Sequence, residues 1–296
     1  MDTTALMVTN AQLRALVIAG GFILAFVFGS AAQKTDFCTM GAVADIVNMG
    51  DWSRLPMWLL AIAVAIAGAN ALDLAGSVDL ARSAYPAPGW PWLAYLVGGL
   101  LFGAGMTLAS GCASRSLIRL GRGNLKSLVV VICLALAAEM TIGGLLAPLR
   151  TLLNAFAVKF DQGQDLSWIL ALLIGTTFIG PVAHASELLQ YWSHPSVRMS
   201  FGVAVILGTL LGSFSSALVR RQFRWETFAS AADTRNHVLG GVLMGFGGVT
   251  AMGCTIGQGI TGVSTLALGS FLVLFSIIAG AALTMKLQYW YLLKAG

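Results

Sequence analysis

Long stretches of this chain contain no Asp, Glu, Lys or Arg, and nothing else limits its possible folds so strongly. Ala15–Ala32, Leu55–Leu72, Trp92–Ser114, Ser127–Ala138, Leu166–Ala183 and Met199–Val219 are uncharged, and so is the whole of Val238–Met285. A bilayer core about 30 Å thick takes roughly 20 apolar residues per helical crossing, so the last run is long enough for two. Only 10% of the 296 residues are charged and 57% are hydrophobic, whereas a soluble domain carries about 25% charged residues. A water-exposed surface of normal size cannot be built from this composition. The expected fold class is all-α: a polytopic membrane helical bundle of about eight to nine spans with short re-entrant or broken helices. Ser30-Ala31-Ala32 superficially resembles a signal-peptide cleavage site, but the run before it is long and lacks a basic cluster, so a retained first helix is expected.

The net charge of +5 reflects the Lys/Arg bias of cytoplasmic loops and not nucleic-acid binding. One basic cluster holds Arg115, Arg119, Arg122 and Lys126; a second holds Arg220, Arg221 and Arg224. A simple eight-span count places the two on opposite sides of the bilayer.

The sequence contains an internal repeat. Sliding Leu96–Cys112 by 142 residues onto Val238–Cys254 superposes Gly98 on Gly240, Gly99 on Gly241, Gly103 on Gly245 and Gly105 on Gly247. It also pairs Ala109 with Ala251, Gly111 with Gly253 and Cys112 with Cys254. A fainter echo pairs Ala25-x-x-x-Gly29 with Gly208-x-x-x-Gly212, spacing that helix packing alone explains. Two related halves are a common build for transporters, with the route at the repeat interface and discontinuous helices beside it. Residues 1–296 therefore read as one integral membrane transport domain with approximate halves 1–160 and 161–296. Gly253–Thr265, with four glycines and three threonines in apolar surroundings, is the expected kind of break.

Three of the four cysteines sit in matching glycine-flanked motifs: Cys38-Thr39-Met40-Gly41, Ser110-Gly111-Cys112-Ala113 and Gly253-Cys254-Thr255-Ile256-Gly257. Cys133, within Val129–Leu134, reads as a packing residue, since buried cysteine behaves as a small hydrophobe. No C-x-x-C is present, so neither a thioredoxin-like centre nor a zinc knuckle is indicated. His184, His194 and His237 are scattered. No metal, cofactor or catalytic constellation is expected, and the chain does not read as an enzyme. Backbone N–H groups freed at helix starts favour anions, and a neutral S–H beside them is a weak donor with soft contacts. A dianion entering hydrocarbon needs its lost hydration replaced; glycine loops and protonated thiols together supply a replacement that still lets it leave.

Phe37-Cys38-Thr39-Met40-Gly41, Ala109–Arg115 with Arg119 and Gly121, and Met252–Gly259 together resemble the YeeE/YedE family of sulfur-transport membrane proteins, along nearly the whole chain. The resemblance implies an hourglass-shaped bundle of about nine helices with inverted pseudo-symmetry. It implies thiosulfate or a related sulfur anion as cargo, passed between Cys38, Cys112 and Cys254 by S–H···S contacts. It further implies a multi-pass protein of the bacterial inner membrane, working with a cytoplasmic TusA-like sulfur carrier.

Gly41, Gly111, Arg115, Gly253, Thr255, Gly257 and Gln258 are candidate supporting residues of the path. Arg115 and Arg119 either attract anion at a pore mouth or set topology. Thr255 and Gln258 either donate to an anion or pack. Glu139 falls inside a span, where a carboxylate is a functional candidate by default; pairing with Arg150 or Lys126 is the structural alternative. Trp52, Trp58, Trp90, Trp92, Trp168 and Trp192 read as interface anchors. Two other functions stay open on residues alone: a thiol–disulfide electron relay, and a Cu(I) conduit using thiols with methionines such as Met40, Met106 and Met252.

Overall fold

The computed structural model describes residues 3–75, 89–159, 201–265 and 267–295. The span expected over Leu166–Ala183 lies outside them, as do His184, His194, Trp168 and Trp192. The described chain is helical apart from a two-residue antiparallel ladder between Gly89–Trp90 and Val158–Lys159. In order come α1 (Thr3–Thr35), α2 (Thr39–Ala44) running into a π-helical turn (Asp45–Met49), and α3 (Leu55–Leu74). Next are α4 (Trp92–Leu108), α5 (Ala113–Gly121), α6 (Leu125–Ile142) and α7 (Ala147–Ala155). After the undescribed stretch follow α8 (Phe201–Val219), α9 (Ala231–Thr250), a second π-helical turn (Gly257–Gly262) and α10 (Leu268–Ala295).

Among the described residues, five segments are long and apolar enough to cross a membrane: Ala15–Met49, Trp92–Gly121, Leu125–Ile142, Phe201–Val219 and Leu268–Tyr291. Their outward faces are themselves apolar. On α1, Leu16, Val17, Ile23, Leu24 and Val27 are all exposed, which suits hydrocarbon and not water. The helix is stable there because every backbone polar group is satisfied within the segment.

Glycine decides how the helices meet. Gly98 on α4 lies so close to α9 that a Cβ would sit 2.7 Å from the Ala251 amide and 2.8 Å from the Gly247 carbonyl. Gly240 on α9 stands at 2.7 Å from both the Ala109 amide and the Gly105 carbonyl. Each contact is the other displaced by 142 positions, and the two helices run antiparallel. The outer contacts repeat the pattern. Gly99 and Gly103 seat α4 on Val273–Ala281 of α10, while Gly241 and Gly245 seat α9 on Val130–Ala138 of α6. Close approach of this kind replaces the hydrophobic drive that lipid does not provide. On the opposite flank α1 and α8 pack through Gly29, Gly208 and Gly212, with the Ser30 hydroxyl donating to the Gly212 carbonyl at 2.9 Å.

Two expectations are corrected. The basic clusters do not lie on opposite sides: the Arg224 amide donates to the Arg122 carbonyl (3.1 Å) and the Leu125 amide to the Glu226 carbonyl (3.0 Å). The run Trp92–Ser114 is also not one straight helix: α4 stops at Leu108 and α5 starts at Ala113. Trp58 is not at an interface but buried with Ile62, Val263 and Leu274, where its flat ring covers Gly259.

Candidate functional site

The two repeated breaks have the same backbone. α4 ends with Ser110 at φ 56° and α9 with Met252 at φ 58°. The Gly111 amide reaches back to the Met106 carbonyl, and the Gly253 amide to the Gly248 carbonyl, each at 2.8 Å. This is the Schellman ending, normally built on glycine at the left-handed position. Serine and methionine there cost about 1–2 kcal/mol each, and each strained carbonyl is held by a side chain. Arg119 donates to the Ser110 carbonyl at 2.7 Å. Gln258 donates to the Ala251 and Met252 carbonyls at 2.9 and 3.2 Å, and its oxygen accepts from Ser270 at 2.6 Å. Both amide hydrogens of Gln258 are thereby engaged, so it holds the break and is not a free donor.

Immediately after these endings come the thiols. Cys112 caps the start of α5 and is 2% exposed; Cys254 is 1% exposed. Cys38 stands in extended backbone at the start of α2. Cys38 and Cys112 line one small pocket and lie close enough to interact. The Cys112 sulfur also lies 3.1 Å from the Ser114 hydroxyl. Thr255, fully buried, brings its hydroxyl beside Cys112 without completing a hydrogen bond to it. Phe28, Phe37, Thr39, Ile118 and Ile256 close around the Cys38–Cys112 pair and leave no room for a water molecule. Cys254 receives the Gly257 amide on its sulfur at 3.5 Å and belongs to the same buried cluster as Cys112. All four cysteines are free thiols.

On one side of this constriction lies a polar cavity of about 270 Å³, lined among others by Ser110, Arg115, Arg119, Arg122, Lys126, Gln222 and His237, with Glu226 and Asp233 as its acids. Arg115, Arg119, Arg122 and Lys126 thus form one wall. Lys126 pairs with Asp233 at 2.7 Å and Arg115 with Asp36 at 2.5 Å. Among the described residues Arg119 and Arg122 have no carboxylate partner. Arg115 is buried, which a topology charge at the surface would not be.

The glycines of the motifs make these approaches possible. A Cβ on Gly41 would meet the Arg54 guanidinium at 2.9 Å, and one on Gly111 would press on Arg115. Gly253 and Gly257 contribute the amides named above. Cys133 stands on α6 against Gly241, away from the convergence. Glu139 is half-buried on α6, thirteen positions along from Lys126, which Asp233 occupies. Sequence reasoning did not single out Asp36, Asn124, Glu226 or Asp233; only contacts between distant segments reveal them. Ser114 was legible, since it follows Cys112 by two positions.

A membrane bundle of broken helices, with thiols gathered at the foot of a basic cavity, has the build of a transport protein. The family model described as sulphur transport matches residues 34–175 and 164–283. The chain belongs to that family. It is 25% identical to thiosulfate transporter TsuA of Escherichia coli (strain K12), with 92% of this chain and 95% of that protein covered. It is 26% identical to thiosulfate transporter TsuA of Spirochaeta thermophila, with 88% and 96% covered. Family and relatives are transporters, and this chain is a multi-pass membrane transport protein and not an enzyme.

Proposed function

We propose that the protein takes up thiosulfate, or a related sulfur anion, across the bacterial inner membrane through a path lined by Cys38, Cys112 and Cys254. The names of both relatives support the cargo. The observation that carries the path is the pocket shared by Cys38 and Cys112, with Ile256 of the Cys254 segment lining it and Thr255 beside Cys112, next to a cavity rich in guanidinium groups. An oxyanion in the cavity is held by Arg119 and Arg122 while it sheds water. At the constriction, protonated thiols donate weakly to its terminal sulfur and exchange it from one to the next. A thiolate would repel the anion, so passage needs the thiols protonated. Weak donors suit passage, because strong ones would trap the ion.

The build behind this path is a pair of inverted repeats, α4–α6 and α9–α10, in a bundle of eight to nine spans. Reciprocal antiparallel contacts through Gly98 and Gly240 support the inversion. A cytoplasmic TusA-like carrier receives the sulfur and provides drive by consuming it, since a dianion entering a negative interior loses about 2.3 kcal/mol per charge per 100 mV. The test is uptake of labelled thiosulfate by cells or liposomes carrying the native chain or single Cys38→Ala, Cys112→Ala or Cys254→Ala variants. Uptake should fall by about fivefold or more in each, the weight of one lost hydrogen bond. Native uptake in all three would sink the thiol path. The pocket shared by Cys38 and Cys112 equally suits thiol–disulfide exchange, and an alkylation-protected Cys38–Cys112 disulfide in working protein would favour the relay.

A further inference from the structure

Asp36 and Arg115 tie together the two chain segments that carry Cys38 and Cys112, which line one pocket. Asp36 stands two residues before Cys38 and Arg115 three residues after Cys112, and their side chains meet at 2.5 Å. The pair is lopsided. The Arg115 side chain is 10% exposed and that of Asp36 56%. A half-exposed carboxylate therefore caps a guanidinium that is otherwise sealed inside the protein. Arg115 Nη1 is buried and has no hydrogen-bond partner among the described residues, although an unpaired buried donor is costly and rarely left so. Arg115 also lines the basic cavity three residues after Cys112, so one residue belongs both to the cavity wall and to the segment that carries the thiol. Asp36 itself is in the left-handed region at φ 50°, a strained backbone that persists only where surroundings enforce it.

We propose that Asp36 is a tethered stand-in for the transported anion. In the empty protein its carboxylate occupies Arg115 and straps the Cys38 segment to the start of α5, closing the constriction. A divalent oxyanion arriving in the cavity bonds both Nη1 and Nη2, displaces Asp36 and loosens the strap, so the thiols open only when an anion is present to use them. Carboxylate and oxyanion compete for one planar donor fork, which binds oxyanions of either kind. The inference rests on the transport reading, but its readout does not.

The full chain in lipid nanodiscs is treated with N-ethylmaleimide, and each cysteine is followed by peptide mass spectrometry in sodium sulfate or in chloride of equal ionic strength. Native Cys112 should react slowly in chloride and about fivefold faster in sulfate, the scale of a half-exposed ion pair. Asp36→Asn keeps the left-handed backbone, which asparagine tolerates, and should be fast in both salts. Asp36→Glu should restore the slow, sulfate-sensitive rate. Cys133 should react alike in all three proteins. Slow reaction of Cys112 in Asp36→Asn, or no response of the native protein to sulfate, overturns the strap. Equal acceleration of Cys112 and Cys133 overturns it too, because the fold has then merely loosened. Failure of the native protein to take up thiosulfate would refute the transport reading while leaving this comparison intact.

Discussion

Gly98→Ala and Gly240→Ala should cost the same, although they lie 142 positions apart on different helices. In Gly98→Ala the new methyl would sit 2.7 Å from the Ala251 amide, 2.8 Å from the Gly247 carbonyl and 3.0 Å from the Ala251 methyl. In Gly240→Ala the corresponding distances to the Ala109 amide, Gly105 carbonyl and Ala109 methyl are 2.7, 2.7 and 2.9 Å. Ordinary contact begins near 3.4 Å, so α4 and α9 must part by about 0.7 Å at either site. A gap of 0.5–1 Å forfeits a quarter to a half of each dispersion contact along the seam, and overpacking in a tight core costs about 1–3 kcal/mol. Alanine's better helix propensity returns about 1 kcal/mol, leaving a net loss of up to about 2 kcal/mol, equal for the two. Gly20→Ala is the control: nothing lies within 4 Å of a Cβ there, so it should be neutral or stabilising. Reversible unfolding in mixed micelles reads all three. Costs for Gly98→Ala and Gly240→Ala that differ by more than about 0.5 kcal/mol, or a Gly20→Ala as damaging as either, would refute the reciprocal seam. The functional consequence is also paired, since Gly98 presses on the break before Cys254 and Gly240 on the break before Cys112.

Cys133→Ala should leave thiosulfate uptake near native, because this thiol stands on α6 away from the other three; a loss comparable to Cys112→Ala would place it on the route. Gln258→Ala should release the Ala251 and Met252 carbonyls and the Ser270 hydroxyl, lowering stability by about 1–3 kcal/mol and speeding alkylation of Cys254 more than of Cys112. Arg119→Ala should do the reverse, loosening the Ser110 break and exposing Cys112 first; peptide-level alkylation distinguishes the two, and equal acceleration of both thiols in either variant would count against separate clamps. Arg122→Gln should raise the thiosulfate concentration for half-maximal uptake by about fivefold with little effect on stability, and an unchanged value would remove Arg122 from the anion's route.

The uncharged runs alone determined that this chain is a helical membrane bundle, because only helices and closed barrels satisfy every backbone polar group inside hydrocarbon, and runs of about 20 apolar residues suit helices. The glycine spacing before Cys112 and Cys254 was equally legible, since a repeated motif survives in one dimension. Contacts between distant segments were not. No spacing rule links Asp36 to Arg115 or Arg122 to Arg224, and the two basic clusters meet through backbone bonds between segments about a hundred residues apart. Gln258 shows the same limit from the other direction. Its residue type suggests a free donor at the path, yet its two donated bonds go to the break and its oxygen accepts from Ser270. Residue type fixes what a side chain is able to do, and the tertiary neighbours decide which of those bonds is already made.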